Sequence, residues 1–283
     1  MGPASKRPAA HIALLTDFSW HNWYIGVMKA VILGINPAVR IVDLAHNVSS
    51  QDVREGSFVL GNSYRYFPPG TIFCCVVDPG VGGDRKNLVI DAGDRYFVGP
   101  DNGILSAVFE DGAVKKVYEV KPGEYTLPLH GSTFLGRDVF APIAAHLSLG
   151  VPPAQMGPVL ESVLIVPALR PFVNKKGEIS GRAVYVDTFG NIITNIDETF
   201  LNRVLGTSYD PDAVTIRIGA RRISGLKRYY EQGKLGRLMA LMNSWGFLEI
   251  AVNRGNAFEL LGLTEKKSLE AFVTIEGRDG GER

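Results

Sequence analysis

Apolar positions in the first half of the chain alternate between short unbroken runs and stretches spaced three or four residues apart, the pattern of strands followed by helices. His11 to Leu15 reads as a strand, Tyr24 to Ile35 carries helical spacing and stops before Asn36-Pro37, and Val39 to Leu44 reads as the next strand. That order predicts parallel strands joined by a crossover helix. Ser49 or Ser50 can cap a second helix through Tyr66, with Val53, Val59, Leu60 and Tyr64 on its inner side. Pro68-Pro69-Gly70 ends it before a strand over Thr71 to Val77. Further along, Asn87 to Asp91 and Arg95 to Val98 read as strands, Ile104 to Phe109 as a short helix and Val139 to Leu147 as a longer one.

The pattern changes after a proline-dense connection running from Gly150 to Pro171. From Gly177 onward come short strands: Gly181 to Val186, Ile192 to Ile196, Val214 to Ile218, Arg222 to Ile223, Leu238 to Met242, Phe247 to Val252 and Ala271 to Ile275. Only Ala257 to Leu261 reads as a helix there. The expectation is a loose tail over 1–10, an α/β domain over 11–166 and an antiparallel, barrel-like β domain over 167–283.

With 283 residues and 46% hydrophobic composition, the chain can bury the cores of two moderate domains. Thirty basic against twenty-nine acidic side chains leave a net charge of +1 without any basic block, which gives no electrostatic case for nucleic acid or an anionic membrane. A small molecule is the expected partner. Asp17 interrupts the first apolar stretch before a signal core or membrane span is complete. The two cysteines, Cys74 and Cys75, are adjacent in a strand and point to opposite faces, which disfavours a bridge between them, and a reducing cytoplasm fits best. The five histidines lack metal-ligand spacing, so no metal is expected.

Candidate chemistry concentrates in residues 71–85, where an apolar strand runs into Asp78-Pro79-Gly80-Val81-Gly82-Gly83-Asp84-Arg85. Ligands bind outside the carboxyl ends of parallel strands, so Asp78 and Arg85 are placed to meet one. The competing interpretation is an Asp-Pro-Gly turn with a surface ion pair. A dinucleotide-binding loop is excluded, because the third glycine of Gly-x-Gly-x-x-Gly is missing and a strand follows where a helix is required.

Several segments together resemble one family, the S-adenosyl-L-methionine hydroxide adenosyltransferases, relatives of the fluorinating and chlorinating enzymes that attack the same compound. The marks are Leu15-Thr16-Asp17-Phe18 with Tyr24-Ile25-Gly26-Val27-Met28-Lys29, Ile41-Val42-Asp43-Leu44-Ala45-His46, Val77-Asp78-Pro79-Gly80-Val81-Gly82 with Arg85, and Gly99-Pro100-Asp101-Asn102-Gly103. Others are Ser132-Thr133-Phe134 with Gly136-Arg137-Asp138, Asp187 with Phe189-Gly190-Asn191, Thr194-Asn195, and Asn243-Ser244 with Gly246. The resemblance implies a Rossmann-like N-terminal domain, a C-terminal antiparallel β-barrel domain, and a homotrimer with sites between the N-domain of one subunit and the C-domain of the next. It also implies hydrolysis of S-adenosyl-L-methionine to adenosine and methionine, as substrate and products, with no cofactor.

The family's acid and arginine match Asp78 and Arg85, which would act with a histidine on the attacking water. Here that histidine is replaced by Leu135, which can neither accept nor relay a proton; general acid/base groups are worth about 10² to 10⁴ in rate. His130 could substitute only through a loop rearrangement. Asp17 would grip the ribose hydroxyls, or else cap a helix. Asn22 stands where relatives present an aspartate to the methionine amine, and the rings of Trp20, His21 and Trp23 crowd that loop. Phe134 and Phe189 would flank the adenine and Asn191 would meet its edge, Asp187 and Ser244 would complete the C-domain side with Ser244 towards the methionine carboxylate, and either Tyr229 or Tyr230 would add a stacking ring. His46, Asp101 and Asn102 also match, as residues that shape turns. A second class stays open: a protein that binds S-adenosylmethionine or adenosine with little or no catalysis.

Overall fold

The computed structural model describes residues 11–110, 112–129, 131–263 and 273–276, so the tail over 1–10, His130 and the start of the strand expected at Ala271 lie outside the described residues. The chain divides into two compact units that meet in sequence between Ala168 and Leu169.

In the first unit the elements are β1 (His11–Thr16), α1 (Tyr24–Ile35), β2 (Arg40–Ala45), α2 (Val53–Ser63), β3 (Ile72–Val76), β4 (Asn87–Asp91), β5 (Tyr96–Pro100), β6 (Lys116–Glu119), α3 (Ala141–Ser148) and β7 (Val159–Leu160). The strands form one sheet in the order β2-β1-β3-β5-β4-β6-β7. The first four are parallel, and β4, β6 and β7 are antiparallel additions. Alternate side chains serve two cores: Ile12, Leu14, Cys74 and Val98 join Met28 of α1 and Ile143 of α3 on one face, while Ala13, Leu15, Phe73, Cys75 and Phe97 join Leu60 of α2 on the other. Cys74 and Cys75 are therefore back to back, both free and fully buried.

Three helices depart from the expected bounds. The cap of α2 is Asp52 rather than Ser49 or Ser50: its Oδ1 accepts from the Glu55 amide at 3.0 Å, while Glu55 Oε1 reaches back past the cap to accept from the Ser49 amide at 3.1 Å and so ties the preceding turn to the helix. It ends at Ser63, where a separate 3₁₀ turn, Tyr64–Tyr66, takes over. The helix expected over 104–109 is a 3₁₀ turn at Ser106–Phe109. The helix at Val139 begins earlier, as one π turn over Gly136–Phe140 that leads into α3. Such turns are wider than an α turn and recur at functional sites.

The second unit comprises β8 (Phe172–Val173), β9 (Ile179–Gly181), β10 (Ala183–Val186), β11 (Ile192–Asp197), α4 (Glu198–Leu205), β12 (Thr215–Ile218), β13 (Arg221–Ser224), β14 (Leu226–Lys227), β15 (Leu238–Met242), β16 (Phe247–Val252), α5 (Ala257–Leu260) and β17 (Val273–Glu276). Its strands make two five-stranded sheets, β10-β11-β16-β15-β14 and β13-β12-β17-β9-β8, antiparallel except for the β14/β15 pair. Neither order returns to its first strand, so the pairings among the described residues give two open sheets rather than the closed barrel expected. Ile192, Ile196, Ile216, Leu248 and Ile250 fill the core of this unit. Helix α4 was not expected; Asp197 caps it by accepting from the Phe200 amide at 2.7 Å, and Leu201 is its buried anchor.

Candidate active site

Parallel pairing of β1 with β3 sets Thr16 beside Val76. The residues that follow at that edge are Asp17 on one strand and Val77-Asp78 on the other, so two carboxylates leave the sheet side by side where strand order and helix N-termini leave room for a ligand. Both line one cavity of about 320 Å³, together with Asn22, Phe134 and Leu135. This volume lies at the lower end of small-molecule sites, which span roughly 300–1,000 Å³. Five positions singled out in the sequence thus share one cavity within the first unit.

Asp78 and Arg85 form a two-pronged pair: Arg85 Nε donates to Asp78 Oδ1 at 2.8 Å and Nη2 donates to Oδ2. Their side chains are 5% and 10% exposed, which rules out the surface ion pair of a plain turn. The guanidinium is held from other sides too, since Nη1 donates to Asn87 Oδ1 and the group lies 5.4 Å from the Phe140 ring centre. The loop returns Arg85 to Asp78 through a tight turn in which Gly82 adopts φ +80° with the Ser132 carbonyl oxygen 2.8 Å from where a β-carbon would stand. Asn102 supports the other end of the acid by donating from Nδ2 to the Val77 carbonyl at 2.8 Å.

Leu135 immediately precedes the π turn and is 9% exposed, packed in the core that contains Phe140 and Met28. The cavity wall at this position is therefore hydrocarbon. Phe134 beside it meets the edges of Phe18 and Tyr24 at 6.0 and 5.1 Å, with the Arg137 guanidinium 5.2 Å from its ring. Arg137 in turn pairs with the buried carboxylate of Asp138.

Asp17 caps no helix; its Oδ2 accepts from the Gln51 amide at 2.8 Å, and Gln51 takes φ 64° to present that amide. Burial raises the Asp17 pKa, the Gln51 bond pulls against that rise, and Asp78 adds to it as a like charge. Asn22 spends its amide on the Phe18 carbonyl, which folds the 18–22 loop over the strand end. His46 is fully buried beneath it, bonded at Nδ1 to Thr16 Oγ1 (2.9 Å) and at Nε2 to Asp43 Oδ1 (2.8 Å), while its carbonyl receives the Ser19 amide. It shapes the turn, as its position in the sequence implies.

In the second unit Asp187 accepts from the Phe189 amide, the Asn191 amide and Asn191 Nδ2, each at 2.9 Å, so it organises the 187–191 turn and orients Asn191. Phe189 is 75% exposed at the tip of that turn. Ser244 is exposed in the β15–β16 turn. Tyr230, rather than Tyr229, is tied into the fold: its hydroxyl donates to Glu249 at 2.8 Å. Glu249 is a buried acid that sequence reasoning missed, although a glutamate inside the apolar run Phe-Leu-Glu-Ile-Ala-Val was itself a signal. Among the described residues, no three His, Cys, Asp or Glu gather as a metal ion requires, and no helix is long and apolar enough to cross a membrane.

An acid held by a guanidinium at the carboxyl edge of parallel strands, with a second acid alongside and an apolar wall opposite, defines an α/β enzyme acting on a small molecule. Residues 12–157 match the SAM hydroxide adenosyltransferase N-terminal domain and residues 181–270 the C-terminal domain of the same family. An (R)-S-adenosyl-L-methionine hydrolase from Thermus thermophilus is 36% identical, over 90% of this chain and 96% of its own. Another from Methanocaldococcus jannaschii is 33% identical, over 92% and 94%. A fluorinase from an Actinoplanes species is 26% identical, over 89% and 93%. A crystal structure of an uncharacterised conserved protein from Thermotoga maritima superposes with a TM-score of 0.83 at 37% identity, covering 93% of this chain and 99% of that one. The chain belongs to the SAM hydroxide adenosyltransferase family.

Proposed function

We propose that this protein hydrolyses S-adenosyl-L-methionine to adenosine and L-methionine. The observation that carries the proposal is the buried, two-pronged Asp78–Arg85 pair, whose carboxylate opens into the same cavity as Asp17. A water oxygen attacks C5′ of the ribose, the C5′–S bond breaks, and its electron pair leaves with methionine as a neutral thioether. One proton is released from the water. Because the sulfonium departs unprotonated, the protein's task is to align water and receive that proton. Asp78, fixed by Arg85, holds the water; Asp17 holds the ribose hydroxyls. Leu135 lends no proton acceptor, so turnover is slower than a histidine at that position would give.

Phe134 and Asn22 complete the N-terminal side, while Asp187, Phe189, Asn191, Tyr230 and Ser244 supply adenine and methionine contacts from the C-terminal side of an adjacent subunit in a homotrimer. The protein works in the cytoplasm. Supporting the assembly are the exposed rings of Trp20, Trp23, Phe189 and Trp245, which a lone chain leaves in water. Halide transfer is disfavoured, because the Asp78 charge opposes an approaching anion.

The test is incubation of purified protein with each sulfur epimer of the substrate, since the hydrolase relatives are named for the R form. Adenosine is followed by chromatography, with Asp78→Asn as control. Adenosine from the parent and none from Asp78→Asn is expected. A parent that binds adenosine but makes none, revived by Leu135→His, would establish the binding-protein alternative. Light scattering of the full chain tests the trimer.

A further inference from the structure

We propose that Glu249 is a positioning residue for substrate binding: its carboxylate locks Tyr230 and the β15–β16 turn into one fixed edge. The inference rests on the hydrolase reading for the ligand's identity and for the ligand contacts assigned to Tyr230, Ser244 and Asp187.

Glu249 lies on β16, the central strand of its sheet, opposite Leu241 of β15 and Ile193 of β11. It is only 4% exposed, and among the described residues no cation pairs with it. Burying an unpaired carboxylate is costly, and an apolar residue of similar volume would serve a sheet better if stability were the sole requirement. Each oxygen instead receives one donor from a different loop. Oε1 accepts from Tyr230 Oη at 2.8 Å, and Oε2 accepts from Asn243 Nδ2 at 3.2 Å.

Those two donors carry the loops with them. Asn243 Oδ1 accepts from the Trp245 and Phe247 amides at 3.0 and 3.1 Å, so its side chain is the brace of the turn that displays Ser244 and Trp245. Tyr230 opens the 3₁₀ turn Tyr230–Gln232 and keeps 44% of its surface exposed for stacking. Burial raises the proton affinity of both Tyr230 and Glu249, and the Asp187 charge adds to it, so the 187–191 turn is within electrostatic reach of the same acid. Two donors facing one acceptor-only group make the ionised carboxylate the form that fits. An amide at this position could accept from Tyr230 but would set donor against donor at Asn243.

The experiment measures steady-state hydrolysis of S-adenosylmethionine and calorimetric binding of adenosine by the full chain carrying Glu249→Ala, Glu249→Gln or Tyr230→Phe. Glu249→Ala is expected to raise KM and the adenosine Kd about tenfold or more while kcat stays within about threefold, the signature of lost uniform binding. Glu249→Gln gives a smaller rise, because one of the two bonds survives. Tyr230→Phe raises KM by itself but adds nothing to Glu249→Ala, since both remove the same link. Folded Glu249 variants whose KM and adenosine Kd stay within about twofold of the parent would overturn the proposal, even with a lowered melting temperature. If Glu249→Ala does not fold, the isosteric Glu249→Gln decides by the same criterion. Failure of the hydrolase reading looks different: the parent itself makes no adenosine, and the adenosine Kd alone then decides the role of Glu249.

Discussion

Replacing Leu135 by histidine restores a proton acceptor to a cavity that already holds Asp17 and the Arg85-paired Asp78. Leu135 is 9% exposed and faces the cavity, so a side chain of similar size reaches the same space without reshaping the π turn behind it. General acid/base groups contribute about 10² to 10⁴ in rate, and the lower half of that range is expected because Asp78 already engages the water. The exchange has a cost, since the buried leucine loses about 2 kcal/mol of apolar transfer energy. In a domain of this size that lowers the melting temperature by about 4–8 °C. The assay is kcat for adenosine release across pH, with thermal melts on the same samples. Leu135→His should show kcat raised about 100-fold or more, together with a new limb in the pH profile from imidazole ionisation. A folded variant that binds adenosine as the parent does, yet turns over no faster, would show that the water is not activated at this wall.

Arg85→Ala leaves the 5%-exposed Asp78 carboxylate without its cation and should destabilise the protein by about 3–5 kcal/mol in denaturant melts, with adenosine formation lost. Asp17→Asn should abolish ribose binding yet raise the melting temperature at neutral pH. The folded chain binds the Asp17 proton more tightly than the unfolded chain does, so the ionised acid costs stability above its raised folded pKa, and the gain from the variant disappears once pH falls below the unfolded value. Tyr230 ionises only at about 12, held up by burial and then by Glu249, so Glu249→Gln should bring one tyrosine down in an ultraviolet pH titration.

Much of the fold was legible from local pattern: α1 and β15 have the expected bounds to the residue, since Asn36-Pro37 closes one and a short unbroken apolar run with a buried centre defines the other. Strands β6 and β7 were not, being too short for a period to show, with pairing partners supplied from far along the chain. Helix α4 carried a readable signal in Asp197-Glu198 followed by Leu201, Val204 and Leu205, but it abuts β11 without a break, and the strand pattern masked it. At the site, Asp78 and Arg85 were visible because a strand, a turn and a guanidinium follow one another within a few residues. Leu135 was visible only through the resemblance, as a substituted position. Glu249 was hidden because its partners, Tyr230 and Asn243, sit on separate loops, and nothing in a linear pattern tells a hub from an oddly placed charge.

The consecutive thiols of β3 stand on opposite sides of the sheet, one under α1 and α3, the other under α2. Both are silenced by burial, Cys74 pushed up to about 12 and Cys75 raised as well, so neither reacts with an alkylating reagent while its layer stays closed. Nature has thereby installed a pair of tripwires one residue apart: the order in which they trip tells which helical layer lifts from the sheet first.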